Sequence, residues 1–225
     1  MHHEIDYRPS FALLTLSLDA GESVRAEAGA MVSYSDGVTV ETSASGGLLG
    51  SLKRSVMGGE SFFQNTFSTE TGGEVTLAPP LAGDVVEHEL DDAAIMIQSG
   101  SYMASHPEVE LDTTFGGARS FFGGEGLFLL KATGTGPVYL SSYGAVHEVD
   151  LVEGERYTVD TGHIVAFEDS ARFDVERVGG LKSTLFSGEG LVCTFTGPGK
   201  VWLQTRSQDA LLAWLIPKLP TNRGN

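Results

Sequence analysis

The sequence has a single cysteine, Cys193, in 225 residues. No intramolecular disulfide can form, so the core alone must hold the fold. A chain of this length can do so, because it buries most of the apolar surface that its unfolded form exposes. Cys193 lies in the apolar run Leu191-Val192-Cys193-Thr194-Phe195. That setting reads as a small core hydrophobe rather than a reactive thiol. The lack of disulfides fits a reducing compartment, and a cytoplasmic location is expected.

Long hydrophobic runs are missing too. The longest candidate, Ala210 to Ile216, is interrupted by Pro217 and falls well short of the ~20 residues of a spanning helix. Met1 to Pro9 is polar and charged and does not read as a signal peptide. No transmembrane segment is expected. Positive charge is scarce, with 14 Lys and Arg against 30 Asp and Glu and a net charge of −16. Such a field repels phosphate backbones and argues against nucleic-acid or anionic-membrane binding. The acids are scattered rather than gathered in a tail, a pattern that suits a salt-rich cytoplasm.

Catalytic signatures are absent. The six histidines are His2, His3, His88, His106, His147 and His163, and no His-x-His occurs. Metal sites on β scaffolds need converging imidazoles and carboxylates. His88-Glu89 and His147-Glu148 recur in comparable segments, but Leu14 stands where a third histidine would be needed. No nucleophile elbow, dinucleotide fingerprint or phosphate loop is found. No metal or organic cofactor is expected, and the chain does not read as an enzyme.

Glycine is plentiful, at 29 residues, and has no collagen period. Mixed with Val, Thr, Phe and Leu, it marks tight turns between short strands. The glycines also mark an internal repeat, which is sought before any motif. Gly59-Glu60, Gly124-Glu125 and Gly188-Glu189 are evenly spaced. Each is followed by a strand pattern, a turn (Thr71-Gly72-Gly73, Thr133 to Pro137, Thr196 to Gly199) and a returning strand. Gly21 to Gly29 aligns with Gly154 to Gly162, and Gly100 matches Gly29 and Gly162 in a more divergent middle copy. Double glycines (Gly46-Gly47, Gly116-Gly117, Gly179-Gly180) each precede a basic-serine pair: Arg54-Ser55, Arg119-Ser120 and Lys182-Ser183.

These landmarks predict an all-β chain of three internal repeats, over about 10–80, 83–142 and 145–206. The short antiparallel strands would be arranged around a pseudo-threefold axis in one compact domain, 1–225. Apolar faces such as Val32/Tyr34/Val40, Met103/Val109/Leu111 and Val165/Phe167/Phe173 are expected to be covered by neighbouring repeats. After Thr205 the pattern turns helical, predicting one short helix over 207–216 that opens on Ser207, stops at Pro217 and docks on the β body.

The segments Gly123 to Leu130, Tyr139 to Gly144, Val159 to Phe167 and Gly190 to Gly199 resemble the bacterial and archaeal "domain of unknown function 124" family. These proteins are relatives of the mitochondrial biogenesis protein 24 of the altered-inheritance-of-mitochondria set. The resemblance runs from about Phe11 to Leu219. It implies a fold like that of the tryptophan RNA-binding attenuation protein, repeated within one chain. It supplies no active-site residue, and it links mitochondrial relatives to membrane organisation.

A non-enzymatic assembly or interaction protein is therefore expected, with self-association and an unidentified protein partner. The alternative is a small-ligand or anion binder. For that, the candidate residues are Arg54, Arg119 and Lys182, which recur at one place in each repeat, with Lys53 as an added donor beside Arg54. Grouped at one end of an axis, guanidinium and ammonium groups would hold an anion. Pairing of each cation with its own repeat's Glu60, Glu125 or Glu189 is the plainer account.

Overall fold

The computed structural model describes residues 1–44, 63–112, 129–177 and 191–220. They form three antiparallel sheets. The first has the order β1 (His2–Asp6), β2 (Leu13–Leu18), β7 (Gly73–Leu77), β4 (Met31–Tyr34). The large second sheet begins β12 (Val146–Leu151), β17 (Gly199–Gln204), β14 (Ile164–Glu168), β8 (Val85–Gln98), β11 (Leu129–Ser141). It continues β9 (Tyr102–Ser105), β3 (Ser23–Glu27), β6 (Phe63–Thr69), β5 (Val38–Ala44), with β10 (Glu110–Asp112) also on β11. The third is β13 (Arg156–Asp160), β16 (Leu191–Thr196), β15 (Arg172–Arg177).

The period-2 pattern explains these strands. Leu14, Leu16 and Leu18 of β2 point inward while the residues between them do not, and Val24 and Ala26 do the same in β3. The inward residues gather in three apolar clusters. One holds Leu14, Leu16, Phe67 and Leu77; the second Ile95, Tyr102, Val138 and Leu140; the third Phe167, Cys193, Phe195 and Val201. Cys193 is fully buried, and burial pushes its thiol up to about 12. It is packing, as its apolar run implies.

One irregularity recurs three times. Between β4 and β7 the register shifts, with Met31 opposite Leu77 and Ser33 opposite Thr76. Between β9 and β11, Tyr102 faces Leu140 and Ala104 faces Tyr139. Between β14 and β17, Ile164 faces Leu203 and Ala166 faces Trp202. Val32, Met103 and Val165 are thus each an extra residue in a β-bulge, which bends the strand and increases its twist. The turns before β3 and β13 also match. Glu22 Oε2 accepts from Asp19 N at 2.8 Å, and Glu155 Oε2 accepts from Val152 N at 3.0 Å.

Three expectations need correction. Thr133 to Pro137 is not a turn: β11 runs unbroken through it and pairs with β8 along its length. Gly134 (φ +118°) and Gly136 (φ +116°) absorb a register shift there, and a Cβ on Gly134 would meet the Glu108 carbonyl oxygen at 2.4 Å. The turns at Thr71-Gly72 and Gly197-Pro198 do separate strands as expected. Second, Met103, Val109, Val165 and Phe167 are buried, but Val32 is 55% and Tyr34 48% exposed, and Val40 is also exposed. The reason is topological. β9 and β14 each have a strand on both sides, whereas among the described residues β4 has only β7 and β5, which carries Val40, only β6.

Third, the helix α1 (Gln208–Leu215) forms where expected, with Ser207 Oγ accepting from Ala210 N at 3.4 Å. It has no buried residue, however. Its Leu211 and Leu215 are only half-buried, so it does not dock as a core element. No helix among the described residues is long and apolar enough to cross a membrane.

Candidate interaction surfaces

Among the described residues the three sheets leave several strand edges unpaired. A strand edge carries unpaired N–H and C=O groups that seek a partner strand, and natural proteins usually blunt it with charge. The sheets end at β1, β4, β5, β12, β13 and β15, with β10 at a further margin. All but β4 carry at least one Asp, Glu or Arg. The residues of β4, Met31-Val32-Ser33-Tyr34, carry no charge and all four are exposed. Ser33 Oγ shares a hydrogen bond with Thr76 Oγ1 at 2.6 Å and Tyr34 leans on Phe67 at 6.3 Å, so the strand is held on its inner side. Among the described residues β13 has no strand on the side away from β16, and Arg156, Tyr157 and Thr158 are exposed.

A second surface is apolar. Leu212, Trp214, Ile216 and Leu219 at the end of the described chain are all about half exposed or more. Lys218 lies over the Trp214 ring at 4.6 Å and donates to the Trp214 carbonyl at 3.0 Å. Helix propensity and a serine cap build this segment, and none of its residues is fully buried.

A groove of about 410 Å³ lies where β1, β8, β12 and β17 meet, bordered by His3, Arg8, Glu87, Glu148 and Trp202. Its basic side chains are already engaged. Arg8 makes a two-pronged bond to Asp84 at 2.7 and 3.0 Å, and His3 Nε2 lies 3.4 Å from Glu87. Glu148 accepts from Lys200 Nζ at 2.8 Å and Trp202 Nε1 at 3.0 Å, and the Lys200 bond holds its carboxyl below the usual carboxylate range. An anion entering here would have to displace carboxylates.

His88 packs edge-on against Trp202 at 4.9 Å, and burial holds its imidazole below its ordinary value. The unfolded imidazole, near 6.5, takes its proton first. The stability that comes with the neutral folded form is therefore complete above that value and declines as the pH falls through it. The denaturant midpoint is expected to drop between about pH 7.5 and about pH 5.5, and His88→Gln should flatten that drop. Equal pH dependence in both proteins would refute the assignment.

The four cations predicted as an anion or partner site, Lys53, Arg54, Arg119 and Lys182, lie outside the described residues, as do Glu60, Glu125 and Glu189. No group of three or more metal-capable side chains occurs among the described residues. Sequence reading missed the open edge of β4, because Met31 to Tyr34 has the same apolar pattern as the buried β9 and β14. Its one legible signal was the missing charge.

A family model described as mitochondrial biogenesis AIM24 matches residues 3–206. An uncharacterised protein of Streptococcus pyogenes serotype M6 is 29% identical over 230 residues, covering 99% of this chain and 92% of that protein. The crystal structure of a Streptococcus pyogenes protein superposes with a TM-score of 0.81 at 27% identity, covering 97% of this chain and 99% of the other.

Proposed function

The chain belongs to the mitochondrial biogenesis AIM24 family, and on that premise we propose that it is a non-enzymatic assembly protein built from three β repeats. The repeats, about 10–80, 83–142 and 145–206, are related by one rotation about a common axis, as in the fold of the tryptophan RNA-binding attenuation protein. The observation that carries this reading is the recurrence of one bulge, at Val32, Met103 and Val165, in three corresponding strands. A repeat presents the same edge to its neighbour each time, and assembly through that edge is the function such a scaffold serves.

The membrane link implied by the resemblance would run through α1, whose apolar side chains are exposed. Light scattering over a wide concentration range tests the assembly reading. The mass is expected to rise above that of one chain as concentration increases. A single-chain mass at every concentration would overturn it.

A further inference from the structure

We propose that β4 of one copy pairs antiparallel with β13 of a second copy, joining chains head to tail. The inference rests on the repeat reading and adds the partner, the strands and the register.

Under the correspondence Gly29–Gly100–Gly162, Ala26 of β3 corresponds to Ile97 of β8 and Val159 of β13. Likewise Ser33 of β4 corresponds to Ala104 of β9 and Ala166 of β14. Within the chain, two junctions join these elements. At the first, Ala26 faces Ala104 and Arg25 faces Ser105. At the second, Ile97 faces Ala166 and Met96 faces Phe167. The two registers are identical under the correspondence, although the side chains at them differ. The junction is therefore set by backbone geometry and the shared bulge rather than by particular residues.

A third junction of the same kind would place Val159 opposite Ser33, Thr158 opposite Tyr34 and Tyr157 opposite Ser35. It is not made within the chain: among the described residues β4 pairs only with β7, and β13 only with β16. One chain thus displays both halves of a junction that it already uses twice.

Two independent observations point to a second copy as the occupant. The β4 edge lacks the charge found on every other described edge strand, so no charge on the strand itself repels an incoming one. Charge complementarity also extends past the strand end. At the second junction Asp169 N donates to the Ala94 carbonyl at 3.1 Å. The corresponding residues are Asp36 and Arg156, which the new junction would set side by side. It would also cover the exposed Val32, Tyr34 and Tyr157. The contact is heterologous, so copies grow into a ring or a filament according to the rotation it imposes. With a net charge of −16 on each copy, added salt should strengthen association by screening.

Separately purified Ser35→Cys and Tyr157→Cys proteins, mixed under mild oxidation, provide the test. A covalent dimer that requires both proteins is the expected result. Tyr34→Cys with Thr158→Cys serves as a second register pair should either variant fail to fold. Val32→Lys, at an exposed position, is expected to weaken association by about tenfold or more while leaving the melting temperature little changed.

A dimer formed by Ser35→Cys alone would mean β4-to-β4 pairing. An intrachain disulfide in the doubly substituted chain would mean closure within one molecule. Either overturns the proposal. If the protein associates but neither cysteine pair cross-links, this interface is wrong and the assembly reading stands. If it stays a single chain throughout, both fall.

Discussion

Phe195→Ala is expected to cost about 3–5 kcal/mol of folding stability, the range for truncating a fully buried aromatic. Phe195 has no exposed surface, and its ring lies 5.0 Å from Phe167, which in turn meets Phe173 edge-on at 5.0 Å. It sits on β16, the central strand of the third sheet, between Tyr157 of β13 and Phe173 of β15. Removing the ring loses the transfer of its carbons from water. It also leaves a cavity that backbone paired on both sides cannot collapse to fill. A domain is stable by only about 5–15 kcal/mol, so the loss is a large fraction of the total. Denaturant titration measures it. Trp214→Ala on the exposed helix is the control, expected to stay within about 0.5 kcal/mol of the parent protein. A Phe195→Ala loss below about 1 kcal/mol would show that the third cluster is not the packed core described.

Arg8→Ala is expected to cost about 1–3 kcal/mol, by stranding a carboxylate that is almost wholly out of water. The Asp84 side chain is 5% exposed, while that of Arg8 is 45% exposed. Asp84 Oδ1 also accepts from its neighbour Val85 N at 2.9 Å, so one backbone donor would remain when the guanidinium is gone. Because Arg8 is nearly half exposed, water entering the vacated space replaces part of what is lost, which keeps the figure below that of a fully buried pair. Arg8→Lys keeps the charge without the two-pronged geometry and should recover only part of the loss. Asp84→Asn in the Arg8→Ala background should recover more, because the uncompensated charge is removed. The parent, Arg8→Ala, Asp84→Asn and the double variant form a double-mutant cycle. If Arg8→Ala falls within about 0.5 kcal/mol of the parent, the pair contributes no more than an ordinary surface salt bridge.

These two residues differ in how visible they were in the sequence. Phe195 stands in an apolar run between two glycine turns, and a buried strand is the natural reading of it. Arg8 lies in a polar opening segment, and its partner is 76 residues away, a distance that no local pattern spans. The candidate site followed the same division. Arg54, Arg119 and Lys182, singled out by their recurrence, and the neighbouring Lys53 lie outside the described residues, while the edge of β4 came from pairing alone. The Thr133 to Pro137 segment misled for a related reason. Its glycines signal a turn when read locally, but the partner strand β8 carries the chain straight through and uses the glycines for a bulge.

The sequence by itself determined the strand periodicity, the start and stop of α1 and the burial of Cys193. Each rests on interactions a few residues apart: alternation across a strand, a serine capping a helix, an apolar run around a thiol. Only the tertiary structure decided which strands are covered and which are left at an edge. Met31 to Tyr34 and its counterparts β9 and β14 have nearly the same local pattern, yet two are buried and one is open. Burial of a strand depends on whether a second strand lies beside it, and that is settled by pairings between strands far apart in the sequence.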